Sequence, residues 1–148
     1  MLERHFEMLL VEDNPADVRL IREAIKSCTY SCHLNVVTDG LQAVRYLRNQ
    51  NEFGQALRPD LILLDLNLPI KDGREVLHDI KEDDNLKEIP VVILTTSRSR
   101  DDIIASYRLH ANCYLTKPTL ISEFFELVCT LEKFWFELVM LPSMSEFA

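Results

Sequence analysis

The chain reads as an α/β protein: a doubly wound, five-stranded parallel sheet with an extended C-terminal helix. Two observations predict this. Short apolar runs alternate with segments of helical periodicity along the chain. Such alternation indicates βαβ units, and right-handed crossovers then place helices on both faces of a parallel sheet. Several runs also stop on a charged or hydroxyl residue, as in Leu61-Ile62-Leu63-Leu64-Asp65. Ligands of open α/β sheets bind outside the carboxyl ends of the strands.

The elements follow in order. Phe6 to Val11 is an apolar strand, and Asn14-Pro15 after it reads as an N-cap with proline at the first helical position. Val18, Ile21, Ala24 and Ile25 recur at helical spacing, so the helix runs from Pro15 to about Lys26. His33 to Val37 is a second strand. Asp39 caps a second helix with Leu41, Val44 and Leu47 inward, and Asn49 to Arg58 is a polar connection. Leu61 to Asp65 is the third strand. A loop with Pro69 and Gly73 leads into a short helix, Arg74 to Lys81, facing inward through Val76, Leu77 and Ile80. The charge run Lys81-Glu82-Asp83-Asp84-Asn85 reads as a solvated loop, and Lys71 and Asp72 as loop surface. Val91 to Thr95 is the fourth strand, Asp101 to Leu109 a helix, Ala111 to Thr116 the fifth strand, and Ser122 to about Leu141 one long final helix.

The 148 residues fit one domain, with a core over about 6–131 and residues 132–148 as a helical extension and tail. An apolar share of 47% supports a packed core. The net charge of −8 disfavours nucleic acid, whose binding needs basic groups to displace counterions. Met1-Leu2-Glu3-Arg4-His5 does not open a signal peptide. No apolar stretch reaches the roughly 20 residues of a membrane span. A cytoplasmic protein with reduced thiols is expected, and Cys28, Cys32, Cys113 and Cys129 read as four packing or surface thiols without zinc-ligand spacing. His5, His33, His78 and His110 likewise lack partners at metal spacing.

The strand ends carry the chemistry. Glu12 and Asp13 follow the first strand, Asp65 ends the third, Thr95 the fourth, and Lys117-Pro118 follows the fifth. Three carboxylates at one sheet edge repel: two unit charges about 5 Å apart at an effective dielectric near 20 cost roughly 3 kcal/mol. Such a cluster protonates or binds a cation. Hard oxygen donors with room for water and phosphate oxygens suit Mg²⁺, and the absence of a nearby histidine argues against zinc. One carboxylate is then placed to attack a phosphoryl group and form an acyl phosphate. Lys117 offsets the new charge, and the Thr95 hydroxyl is placed to donate to a phosphoryl oxygen. Glu12-Asp13 alone would pass for an acidic pair at a helix N-terminus. Its coincidence with Asp65 and Lys117 at matching strand ends favours a site. Thr96 and Ser97 leave the choice of hydroxyl open among three.

These residues, in this order, make the chain resemble the receiver domains of two-component response regulators over about residues 6–131. The resemblance implies the flavodoxin-like chemotaxis-regulator fold with strand order 2-1-3-4-5. It implies that Asp65 is the phosphoacceptor, and that Asp13 and Asp65 ligate Mg²⁺ directly. Glu12 would act through water, and the Asn67 backbone carbonyl would complete the set. Thr95 and Lys117 would bind the phosphoryl group. Tyr114 would be the aromatic switch residue, turning inward as Thr95 moves. The Lys117–Pro118 bond would be cis. Asn67 and Ser97 flank the expected water path and would tune the lifetime of the acyl phosphate. The partner would be a sensor histidine kinase, and the chain would act through protein–protein contacts without enzymatic turnover.

A narrower resemblance rests on Leu66-Asn67-Leu68-Pro69, Lys71-Asp72-Gly73-Arg74-Glu75-Val76-Leu77, Leu94-Thr95-Thr96-Ser97, Asn112-Cys113-Tyr114 and Phe134-Trp135. These look like the stand-alone regulators paired with cyanobacterial phytochrome histidine kinases. The segment Phe134 to Leu141 is apolar nearly all round, and a helix of that kind is buried somewhere. Two outcomes stay open: packing onto the first helix, or a homodimer interface built from Tyr114, Phe134, Trp135 and Leu138. Tyr114 could also simply fill space beside the last strand. Three rivals remain. A Mg²⁺-dependent aspartyl-phosphate phosphatase would want a second acid where Asn67 stands. A flavin carrier would want hydroxyls and glycines where Glu12-Asp13-Asn14-Pro15 stands. A receiver-like module that is never phosphorylated is opposed by the intact acid set.

Overall fold

A computed structural model of the chain describes residues 5–28 and 30–142. Strands β1 (Phe6–Val11), β2 (Cys32–Val37), β3 (Leu61–Leu64), β4 (Val91–Thr95) and β5 (Cys113–Thr116) form one sheet in the order β2-β1-β3-β4-β5. All four pairings are parallel. Helices α1 (Pro15–Ser27), α2 (Gly40–Leu47), α3 (Gly73–Glu82), α4 (Arg100–Arg108) and α5 (Ile121–Glu132) alternate with the strands. This is the flavodoxin-like fold, in the order that the resemblance implies. Among the described residues no helix is long and apolar enough to cross a membrane.

Successive side chains of a strand point to opposite faces, and each central strand here feeds two cores. Leu9, Val11, Ile62, Leu64, Val91 and Ile93 pack with Val76, Leu77 and Ile80 of α3 and with Ala43, Tyr46 and Leu47 of α2. Met8, Leu10, Leu61, Leu63, Val92 and Leu94 pack with Ile21, Ala24 and Ile25 of α1 and with Phe124, Val128 and Leu131 of α5. Burial on both faces explains why these strands read as continuous apolar runs rather than alternating ones.

Local signals start the helices. Asn14 accepts from the Ala16 and Asp17 N–H groups, with Pro15 opening α1. Asp39 caps α2 through the Gln42 N–H, Asp72 caps α3 through Arg74, and Ser99 caps α4 through Asp102. Asp72 and Lys71 are therefore more than loop surface: Lys71 also pairs with Asp79 on α3. The charge run begins inside α3, which continues through Glu82. The polar connection contains a short 3₁₀ turn, Asn51–Phe53, whose Phe53 tilts onto Tyr46.

Three expectations are corrected. Cys28 and Cys129 are not separate thiols but a disulfide, with Cα atoms 5.9 Å apart. The pairing follows from α1 lying against α5, which brings together residues 101 positions apart in sequence. Cys32 and Cys113 are free. The final helix does not run as one α-helix to Leu141. It passes into a π-helical segment, Lys133–Leu138. The wider turn sets Phe136 in the core, stacked on Phe6 at 4.0 Å between ring centroids. Tyr30 donates to Glu137 across the same end. Finally, no described peptide bond is cis, so Lys117–Pro118 is trans. Trans is the lower isomer of an X–Pro bond by about 0.5–1 kcal/mol. The expected tail beyond 142 and the first four residues lie outside the described residues.

Glu132, at the start of the π segment, is fully buried, and neither carboxylate oxygen has a hydrogen-bond partner. Burial pushes its pKa up to about 7 from 4.5. Its charge also helps to hold the Cys32 thiol up at about 12, a shift due first to burial. The folded state therefore binds this proton more tightly than the unfolded chain. The stabilising contribution is complete below pH 4.5 and is lost as pH rises through 7. We expect Glu132→Gln to be more stable than the parent at pH 8 by about 1–3 kcal/mol, with the gap closing towards pH 4.5. Denaturant midpoints across that range check this, and a gap independent of pH refutes it.

Candidate functional site

The β-ladders bring the strand-end residues to one rim. The Asp65 N–H donates to the Val11 carbonyl at 3.1 Å, which sets Asp65 beside Glu12. Thr95 is in register with Thr116, and the Lys117 N–H donates to the Thr95 carbonyl at 2.8 Å. Gly73 lets α3 start directly against β3, because a Cβ there would collide with the Asp65 carbonyl oxygen. Gly40 plays the same part for the turn at Pro69–Lys71. Within that turn the exposed Ile70 adopts φ 69°, unusual for a β-branched residue.

Glu12, Asp13 and Asp65 each present a carboxylate oxygen within 4.8 Å of the others. Glu12 and Asp65 are buried and Asp13 is exposed. Lys117, also buried, reaches into the same group. Its Nζ lies 3.1 Å from Asp65 Oδ2 and 2.8 Å from Asp17 Oδ2, and it pairs with Glu12. Burial works against the Lys117 charge. The Asp17 and Glu12 hydrogen bonds and the nearby Asp65 outweigh it and hold the pKa above the ordinary lysine range. Glu12 is pushed up to about 7 by burial and by the Asp65 charge, against the Lys117 hydrogen bond. So three carboxylates, Glu12, Asp17 and Asp65, surround one ammonium, and Asp13 adds a fourth to the acidic group. The donors are hard oxygens with unbalanced negative charge, a set that fits a divalent cation such as Mg²⁺ better than a soft or nitrogen-seeking one. Asn67 sits on the same rim, its N–H 3.4 Å from Asp65 Oδ1.

Thr95 is fully buried, and its Oγ1 receives the Ser97 N–H at 3.5 Å. Tyr114 is half-buried, and its hydroxyl donates to the Ser97 carbonyl at 2.9 Å. It is therefore tied to the β4–α4 loop and does more than fill space. Of the candidate dimer residues, Phe134 and Leu138 are exposed, and Trp135 is half-buried with its ring edge-on to Phe134 at 5.5 Å. Of the histidines, His33 pairs with Glu7 at 2.9 Å.

Sequence reasoning missed Asp17. Its signal was available: it stands four residues after Asp13, in the first turn of α1. It also missed Arg74 and Asp102, which approach to 2.6 Å from different helices. No spacing in the chain announces that pair.

Comparison with known proteins agrees with this geometry. The response regulator receiver domain family matches residues 8–128. Response regulator Rcp1 of Synechocystis is 54% identical over 136 residues, covering 92% of each chain. A crystal structure of the phosphorylated cyanobacterial phytochrome response regulator RcpA superposes with a TM-score of 0.91 at 54% identity, covering 95% of this chain and all of that one. The Mn²⁺-bound form of Rcp1 superposes at 0.89 with 53% identity, covering 93% and 99%. With its strand order, its acidic rim and this match over most of its length, the chain belongs to the response regulator receiver family.

Proposed function

We propose that Asp65 accepts a phosphoryl group from the phosphohistidine of a sensor histidine kinase of the phytochrome type. One observation carries the reading: a buried lysine ammonium and two further carboxylates, Glu12 and Asp13, converge on Asp65 at the C-terminal rim of the sheet. The kinase class follows from likeness to RcpA, a phytochrome response regulator. The reading takes residues 1–148 as one cytoplasmic receiver domain that signals by contact and has no turnover of its own.

The chain's groups divide the work. An Asp65 carboxylate oxygen forms the new O–P bond as the N–P bond to the kinase imidazole breaks, and the imidazole nitrogen keeps the bonding pair. Asp13, Asp65 and the Asn67 carbonyl would hold magnesium, with Glu12 acting through water, and the ion would supply charge neutralisation for the phosphoryl oxygens. Lys117 offsets the charge that arrives, and the Thr95 hydroxyl donates to a phosphoryl oxygen. Tyr114 follows Thr95 through the β4–α4 loop, which shifts the population of the α4–β5–α5 face. Exposed Phe134 and Leu138, with Trp135 and Tyr114, form a symmetric dimer contact.

Acetyl phosphate with Mg²⁺ should add one phosphate to the intact mass of the parent and none to Asp65→Asn; equal masses end the phosphoacceptor reading. Asn67 and Ser97 variants should change the decay rate of the acyl phosphate severalfold, and unchanged decay in both removes their tuning role. Light scattering should report a dimer for the parent and a monomer for Phe134→Ala/Leu138→Asp. A monomeric parent, or a variant that stays dimeric, rules out this interface.

A further inference from the structure

The phosphoacceptor reading leaves one set of contacts unused, and it centres on Ser97. Every polar group of Ser97 is engaged. The N–H reaches Thr95 Oγ1 at 3.5 Å, and the carbonyl accepts from the Tyr114 hydroxyl at 2.9 Å. Its own hydroxyl donates to Asp102 Oδ2 at 2.6 Å and accepts from the Ser99 N–H at 3.3 Å. Asp102 is itself fixed: Oδ1 takes Arg74 Nη2 at 2.6 Å, and its N–H is capped by Ser99. Arg74 Nη1 in turn holds both oxygens of Asp72, the N-cap of α3, at 3.2 Å. A continuous run of charge-assisted contacts leads from α3 through α4 to Ser97. There it divides towards the two residues assigned to the response, Thr95 and Tyr114.

We infer that Arg74 and Asp102 are positioning residues, a clamp between α3 and α4 that orients the Ser97 peptide so that Thr95 and Tyr114 are both set for phosphorylation at Asp65. The inference rests on the phosphoacceptor reading of Asp65 and extends it to residues that touch neither phosphoryl group nor metal. Three steps support it. A Thr95 Oγ1 that accepts the Ser97 N–H keeps its own hydrogen for donation. Thr95 is fully buried, so that hydrogen needs an acceptor close by, and a phosphoryl oxygen on Asp65 supplies one. The carbonyl of the same residue is the acceptor on which Tyr114 docks. One residue's orientation therefore serves both partners, and the side-chain contact that anchors it to α4 is Asp102.

Magnitude separates this role from a structural one. The Arg74 and Asp102 side chains are 32% and 24% exposed. An ion pair so open to solvent adds little to fold stability. Its geometry does more: the guanidinium spans two carboxylates on two helices, and its planar fork fixes both in direction. The Asp102 carboxyl is held below the usual carboxylate range by the Ser97 hydroxyl and by Arg74, so it stays an acceptor. Loosening the clamp lets the Ser97 peptide turn. The receptive arrangement then becomes a smaller fraction of the population, and the apparent affinity for a phosphoryl mimic falls by that fraction.

The test uses the full chain labelled with 3-fluorotyrosine, with the Tyr114 resonance assigned through Tyr114→Phe. Arg74→Gln and Asp102→Asn should each move the Tyr114 ¹⁹F signal before any metal or anion is added. Each should weaken binding of trifluoroberyllate in saturating Mg²⁺ about five- to tenfold, at the low end of typical couplings. The double variant should be no weaker than either single one, because both remove the same clamp. Asp102→Glu should recover most of the loss. Denaturant midpoints near that of the parent keep the comparison among folded proteins. A parent that fails to bind trifluoroberyllate, or Asp65→Asn that binds it equally well, defeats the phosphoacceptor reading. A parent that binds while both clamp variants match it in affinity and Tyr114 signal defeats the clamp alone. Losses that add in the double variant, or that Asp102→Glu leaves unrecovered, also overturn it.

Discussion

The contact on which the site depends is the Lys117 ammonium among Glu12, Asp17 and Asp65. Two carboxylates at 4.8 Å, the limit within the acidic group, repel by about 3 kcal/mol at a dielectric near 20. That is as large as the gain from burying a leucine, about 1.5–3 kcal/mol. The sheet can gather such charge because β1, β3 and β4 bury apolar side chains on both faces immediately beneath it. Lys117 then meets part of the repulsion from inside. What it leaves uncovered is the reason the rim suits an added cation and, beyond it, a phosphoryl group.

That arrangement separates two tasks that one residue could not perform. Lys117 follows β5, backed by the Thr95 carbonyl, while Glu12 and Asp65 follow β1 and β3 and Asp17 stands on α1. The cation and the anions are thus held by different strands. Lys117 thereby links Asp65 to the ends of β4 and β5. Asp17 matters here because it gives Lys117 a partner that a phosphoryl group on Asp65 leaves in place.

The sheet and the acids were legible because both follow short-range rules. A run such as Leu61 to Leu64 announces a strand buried on both faces, and the residue that ends it must lie at the rim. The starts of α1 and α2 were legible for the same reason, since Asn14 and Asp39 act on N–H groups two or three residues ahead. What stayed hidden depends on meetings between distant elements. Cys28 and Cys129 carry no mark of pairing, because only the contact of α1 with α5 brings them together. Arg74 and Asp102 meet because the N-terminal turns of α3 and α4 are neighbours at the rim. The π segment needed knowledge of Phe6 as the target of Phe136, and helical periodicity alone could not supply it.

The two helices that flank β5 are held very differently. The far end of α5 is tied down by the Cys28–Cys129 bond, by Phe136 stacked on Phe6 and by Tyr30 on Glu137. Along its length Phe124, Val128 and Leu131 are buried. In α4 the buried residue is Ser106 alone, with Ile104 and Tyr107 exposed. Local opening costs least where few apolar contacts are lost. A rearrangement started at Thr95 therefore meets less resistance in α4 than in α5. The polar contacts of Asp102 and Ser99 give the N-terminus of α4 its direction and add little to its stability. An element with few buried groups and a polar anchor next to Thr95 is the easier of the two to shift on a local change in charge, while α5 is the frame against which such a shift is read.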